Sequence, residues 1–183
     1  MVLTAVFTAI LCAVAPFSVT IGPIPLTFAT LVIYLAAGSL GWRFGALTVA
    51  LYVVLGAIGL PVFSNFEGGF HKIVGVTGGY IIGYIPCAMA TGIIVELSRK
   101  KNRNGIGGSK YLRAMADAFG MVIGTILLYT CGTAWFMLQT GNTLAYSLAL
   151  CVTPFLIGDT VKIILACMAA PQLRNALHVL RTR

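Results

Sequence analysis

Apolar residues fall into six long blocks along this chain, separated by short interruptions rich in glycine, proline or polar residues. The blocks run from Met1 to Pro16, Leu26 to Leu40, Ala46 to Leu60, Thr77 to Leu97, Ala114 to Leu138 and Leu144 to Ala170. At about 15 to 27 residues each they suit helices crossing a hydrocarbon core ~30 Å thick, the shortest of them marginally. The interruptions are of the kind that stop helices. Gly22-Pro23-Ile24-Pro25 removes amide donors and clashes with the preceding turn, and Gly41-Trp42-Arg43-Phe44-Gly45 is a tight basic turn with Trp42 at headgroup level. The pattern predicts an all-α membrane protein, a bundle of six transmembrane helices forming one domain over residues 1–183.

One interruption differs from the others. From Val62 to Thr77 the chain is polar and glycine-containing, with Phe63, Phe66 and Phe70 spaced through it. A loop of this length between two apolar helices is a lid or binding loop, or else a mobile connector. Its aromatics favour a lid folded onto something apolar. His71 within it reads as a solvated loop residue. Thr77 is a suitable N-cap for the following helix, and the paired Gly78 and Gly79 permit close approach of either a ligand or a neighbouring helix.

Composition fixes the class. The chain is 59% hydrophobic and only 9% charged, with a mean hydropathy of +0.98, far outside the range of soluble domains. No cleavable leader is expected, since the first block lacks a basic start. The net charge of +8 does not point to nucleic acid, because the basic residues sit between apolar blocks where membrane topology accounts for them. With the basic loop Ser98 to Arg113 in the cytoplasm, ten of the twelve Lys and Arg lie inside; only Lys72 is outside and Lys162 within the membrane. Both termini are then cytoplasmic, and the Val62 to Thr77 loop faces outward.

Candidate chemistry is concentrated in the sixth block. Asp159 and Lys162 are the only acid and base there, three residues apart and so on one face of a helix. Ionisable groups inside a bilayer are costly and usually functional; the alternative is an ion pair that only pins helix packing. A ligand with both donors and acceptors is the better reason to keep both. Pro154 is placed to bend the outer part of this helix and open a pocket. Ala5, Ala9 and Ala13 form a small-residue strip on the first helix that lets another helix approach closely. That helix belongs either to this chain, the reading favoured by sequence alone, or to another protein. Asp117 reads as a helix-start charge near the basic loop.

What the sequence lacks moves the reading toward binding or transport and away from catalysis. The four acids lie in four different regions, the two histidines on opposite sides, and the five scattered cysteines have no metal or disulfide spacing. No hydrolase or phosphate-binding motif occurs. No catalytic residues, no metal and no cofactor are expected, and the chain has no nucleotide cassette with which to hydrolyse ATP itself.

Four segments taken in order resemble the BioY family, the biotin-specific substrate-binding components of energy-coupling factor transporters. They are Gly22-Pro23-Ile24-Pro25-Leu26-Thr27, Leu55-Gly56-Ala57-Ile58-Gly59-Leu60-Pro61-Val62-Phe63, Thr77-Gly78-Gly79-Tyr80-Ile81-Ile82-Gly83-Tyr84 and Asp159-Thr160-Val161-Lys162. The order and spacing hold from about Ala5 to Ala170. The sequence departs from the family at Ala29, where glutamine is usual, and at Val76, where proline is usual. The resemblance implies a six-helix bundle in a prokaryotic cell membrane that captures biotin on its outer side. It implies as partners a transmembrane coupling subunit and two ATPase subunits, with ATP used by those subunits. It turns Ala5, Ala9 and Ala13 toward the coupling subunit, and puts Asp159, Lys162 and the loop before Thr77 in the biotin pocket. Thr77, Gly78, Gly79, Tyr80 and Phe63 are the further candidate ligand residues, and by residue chemistry Phe63, Tyr80 and Trp135 are aromatics suited to enclose the ring and chain.

Overall fold

The computed structural model describes residues 1–20, 22, 24–103 and 110–181, the side chains of 101–103, 110–113, 175 and 178–181 excepted. Ile21, Pro23, residues 104–109 of the basic loop, Thr182 and Arg183 lie outside what is described, as do the side chains of Lys101, Arg103, Lys110, Arg113, His178 and Arg181.

The chain is mostly helical. Helix α1 spans Val2–Val14, α2 Ala29–Leu40, α3 Trp42–Ala57, α4 Phe70–Val74, α5 Gly78–Arg103, α6 Lys110–Thr140, α7 Leu144–Cys151 and α8 Phe155–Arg181. Three of them, α5, α6 and α8, are long and apolar enough to cross a membrane, whereas α1, α2 and α3 are shorter apolar helices. At 1.5 Å per residue those three reach only about 18–24 Å, less than the hydrocarbon thickness.

The blocks predicted as continuous helices are interrupted in two places. Between α1 and α2 lies an antiparallel hairpin, β1 Ser18–Thr20 paired with β2 Pro25–Thr27, Val19 opposite Leu26. The apolar run from Leu26 thus begins as strand, and Pro25 sits at a strand start where it need not donate. The last block breaks at Val152–Pro154 into α7 and α8, because proline at that point cannot continue the helical ladder. The loop from Val62 to Thr77 is folded, with a 3-10 turn at Ser64–Phe66 and the short α4.

Helix α8 shows why the bundle needs lipid. Its buried face carries Phe155, Asp159, Lys162, Ala166 and Ala170, while Ile157, Val161, Ile164, Leu165 and Met168 point outward. A helix with its charges inside and its aliphatics outside is inverted for water and correct for a bilayer. Helix α6 likewise turns Phe119, Val122 and Ile126 outward. Within the bundle the core includes Tyr34, Cys87, Ala88, Met121 and Leu128, and the buried hydroxyls of Tyr34 and Thr125 are 2.7 Å apart.

Asp117 is not a solvated helix-start charge. It is buried, and its carboxylate accepts from Arg174 of α8 at 3.1 Å. Arg174 also donates to the carbonyl of Gly38 at 2.8 Å, and Arg99 donates to the same carbonyl. Two arginines thereby satisfy an orphan carbonyl in the last turn of α2, and α2, α5, α6 and α8 are tied at this end. Gly41 links α2 to α3 with φ +87, and Glu96 accepts from the first amide of α3.

Candidate substrate-binding site

A cleft opens at the other end of the bundle, where the hairpin, the Ser64 turn and the first turns of α5 and α8 meet. Its empty space is about 480 Å³, counting the part that opens outward. Thr77, just before α5, and Tyr80, Ile81 and Tyr84 of that helix contribute a stripe at positions about one helical turn apart. Pro25, Leu26 and Thr27 of β2 form the facing wall, with Ser64 and Phe155 beside them. Thr30, Leu128, Tyr129, Asp159 and Lys162 complete the lining.

Asp159 and Lys162 are both 5% exposed and meet at 2.8 Å, Nζ to Oδ1. Each has further partners. Lys162 donates to the Thr27 carbonyl at 2.8 Å. Thr30 donates to Asp159 Oδ1 at 3.3 Å, and Tyr129 donates to Oδ2 at 2.6 Å. Thus α2, β2, α6 and α8 converge on one ion pair. A buried pair offsets its desolvation only with such extra hydrogen bonds. The carboxylate has about four acceptor positions, and three are taken, leaving one for a ligand N–H. Next to it the Thr27 and Tyr84 hydroxyls lie 3.3 Å apart, able to donate or accept.

The structure brings together four of the residues singled out in the sequence, Asp159, Lys162, Thr77 and Tyr80, and leaves four others off the cleft. Phe63 is 1% exposed and packs edge-on to Tyr52, ring centroids 5.6 Å apart, over Gly56. It supports the turn above without lining the cavity. Gly78 and Gly79 serve helix packing, not ligand approach: a Cβ at Gly79 would lie 2.8 Å from the Cys131 carbonyl oxygen and closer still to Trp135. Trp135 itself donates to the Gly75 carbonyl at 2.9 Å, and Gln139 to Val74 at 3.0 Å, which fastens α4 and its exit to α6. Gly79→Ala is expected to lower thermal stability by about 1–2 kcal/mol, overpacking of ~1–3 outweighing the helix-propensity gain of up to ~1. Unchanged unfolding of the detergent-purified variant would contradict that close packing.

Tyr129, Tyr84, Thr27 and Thr30 were not singled out. The stripe from Thr77, just before α5, to Tyr84 carried a signal at helical spacing; a lone tyrosine in the middle of α6 carried none. Ala5, Ala9 and Ala13 are all exposed, while Thr4, Phe7, Thr8 and Leu11 form the buried face of α1. The packing of this strip inside the chain, expected from sequence, is therefore not what occurs. Among the described residues no group of three or more His, Cys, Asp or Glu is placed to hold a metal.

Comparison with known proteins gives a consistent result. A family model described as the BioY family matches residues 1–179. The biotin transporter BioY of Thermotoga maritima is 34% identical over 171 residues, covering 93% of this chain and 92% of that one. The biotin transporter BioY of Rhodobacter capsulatus is 34% identical over 157 residues, covering 80% and 77%. The crystal structure of the S-component for biotin from an ECF-type ABC transporter superposes with a TM-score of 0.79 at 25% identity, over 95% of this chain and 89% of that one.

Proposed function

This chain belongs to the BioY family, and from that premise we propose that it is a multi-pass membrane protein that captures biotin from outside a prokaryotic cell and takes part in its uptake. It is a transport component and not an enzyme, as its relatives are named transporters and its structural neighbour an S-component. The observation that carries the reading is the buried Asp159–Lys162 pair, held from four elements, in a cleft whose other walls mix apolar side chains with threonine and tyrosine hydroxyls. Small-molecule sites have that composition: apolar walls and a few fixed polar groups.

The ureido group is the part of biotin that suits this pair. Asp159 offers a remaining acceptor position to a ureido N–H, and the Thr27, Tyr84 and Lys162 donors surround the place of its oxygen. A carboxylate there would set two anions around one ammonium already compensated at 2.8 Å. The valeryl carboxylate is therefore assigned to the mouth, near Ser64 and Thr77.

The finer topology follows from the charges. Six membrane crossings with both termini cytoplasmic put Arg43, Arg99, Lys100 and Arg174 inside and the cleft outside. The whole chain acts as one binding unit. It associates with a transmembrane coupling subunit and two ATPases, which supply the energy; no cofactor resides in this chain. The outward-facing Ala5, Ala9 and Ala13 are the surface for the coupling subunit, a smooth strip with no occupant among the described residues. Closure of the Val62 to Thr77 segment over biotin precedes engagement of that module.

Thermal unfolding of the detergent-purified chain against a panel of vitamins tests the substrate. Ligand at a hundredfold excess over Kd adds about 2.7 kcal/mol, so a shift with biotin alone is expected. Biotin methyl ester should retain most of the shift. An analogue with methylated ureido nitrogens should lose about 10- to 150-fold in affinity, the worth of a hydrogen bond to a charged group. A shift with a different vitamin would overturn the substrate, and a loss only with the ester would reverse the ligand's orientation.

A further inference from the structure

The cleft is covered by two segments distant in sequence, the hairpin β1–β2 and the turn at Ser64–Phe66, and one residue fastens them together. Asn65 donates its backbone N–H to the Pro16 carbonyl at 3.0 Å and to the Ser18 hydroxyl at 3.2 Å. The Ser18 hydroxyl in turn donates to Asn65 Oδ1 at 2.8 Å, and Asn65 Nδ2 reaches the Thr20 hydroxyl at 3.4 Å. Phe66 stacks edge-on to Phe17 with centroids 5.2 Å apart. Both sides of this fastening border the cleft: Ser64 precedes Asn65, and β2 pairs with β1 through Ser18–Thr27.

The backbone at this point is strained. Asn65 and Phe66 have φ of +61 and +57, and they are the only non-glycine residues with positive φ among the described residues. Asparagine tolerates the left-handed region; phenylalanine does not do so readily. Such strain persists only where surrounding contacts enforce it, and it marks segments with an alternative conformation. Here the enforcing contacts are solvent-exposed hydrogen bonds, which are individually weak because water competes for them. A strained turn held by weak exposed bonds opens at small cost, as a gate has to.

We propose that Asn65 is a positioning residue that latches the turn to the hairpin across the mouth of the cleft and sets the rate at which ligand enters and leaves. The proposal rests on the reading of this cleft as the biotin site. Asn65 and Ser18 do not line the cleft, so the latch is present with or without ligand. Losing it therefore favours the open form equally in both states, and association and dissociation accelerate together while Kd is kept.

Asn65→Gly removes the side chain and keeps the left-handed backbone accessible, and Ser18→Ala removes the partner. Stopped-flow binding of biotin to each full-length variant should show both rate constants raised about tenfold, corresponding to about 1.4 kcal/mol of latch, with thermal stability lowered by no more than that amount. Deuterium exchange of the unliganded proteins reads the latch without ligand: amides of residues 63–67 should exchange about tenfold faster in Ser18→Ala, with the long helices unaffected. Unchanged exchange and unchanged rates in these folded variants would overturn the proposal, as would faster dissociation with slower association. If the wild-type chain fails to bind biotin while exchange at the turn still rises in Ser18→Ala, the latch stands and the biotin reading falls.

Discussion

Asp159→Ala is expected to abolish the biotin-dependent gain in thermal stability and to lower the stability of the unliganded protein by about 3–5 kcal/mol. The second figure is the usual result of removing one partner of a buried ion pair. Lys162 would keep only the Thr27 carbonyl, at 5% exposure, and the Tyr129 and Thr30 hydroxyls would lose their acceptor. The first effect follows from the loss of the free acceptor position. Asp159→Asn separates the two, since an amide keeps the shape but removes the charge that compensates Lys162. Exchange of the pair, Asp159→Lys with Lys162→Asp, is not a neutral swap. It would set a carboxylate against the Thr27 carbonyl, acceptor against acceptor. Wild-type biotin binding by Asp159→Ala would end the assignment of this cleft as the site.

Asp117→Ala is expected to lower stability by about 3 kcal/mol, with Kd for biotin in the remaining folded protein changed less than about threefold. Asp117 has 4% of its side chain exposed and Arg174 23%, so the arginine can turn partly to the headgroups and the cost stays at the low end of the range for buried pairs. Asp117 and Tyr129 are twelve residues apart on α6, about 18 Å along the axis, too far for direct contact with ligand. Chemical unfolding in mild detergent combined with calorimetric titration reads both quantities. A large change in Kd would mean that the two ends of the bundle are energetically coupled. No loss of stability would mean that the Arg174–Asp117 pair only breaks even.

Much of the fold was legible because the bilayer imposes it. Long apolar blocks had to become helices, and the spacing of Asp159 and Lys162 made them partners before any coordinate was known. The Val62 to Thr77 segment, read from sequence as a lid with its aromatics folded onto an apolar surface, has Phe63 buried against Tyr52 but Phe66 and Phe70 exposed. The short hairpin was missed because its two three-residue strands pair through backbone groups, which leave no mark in an apolar run.

What the sequence determined by itself was local and periodic: which segments are apolar enough to be helices of a membrane protein, which residues share a helix face, and that one acid and one base lie on one face of the last apolar block. Only tertiary structure decided what those faces meet. Asp117 found Arg174 fifty-seven residues away. Tyr129 found Asp159 from a different helix, the glycines beside Thr77 met Trp135 instead of a ligand, and Ala5, Ala9 and Ala13 turned away from their own bundle. The physical reason is that burial and hydrogen-bond satisfaction belong to groups brought together by several elements at once. Helical periodicity specifies the face on which a residue lies, and packing alone specifies the partner against that face.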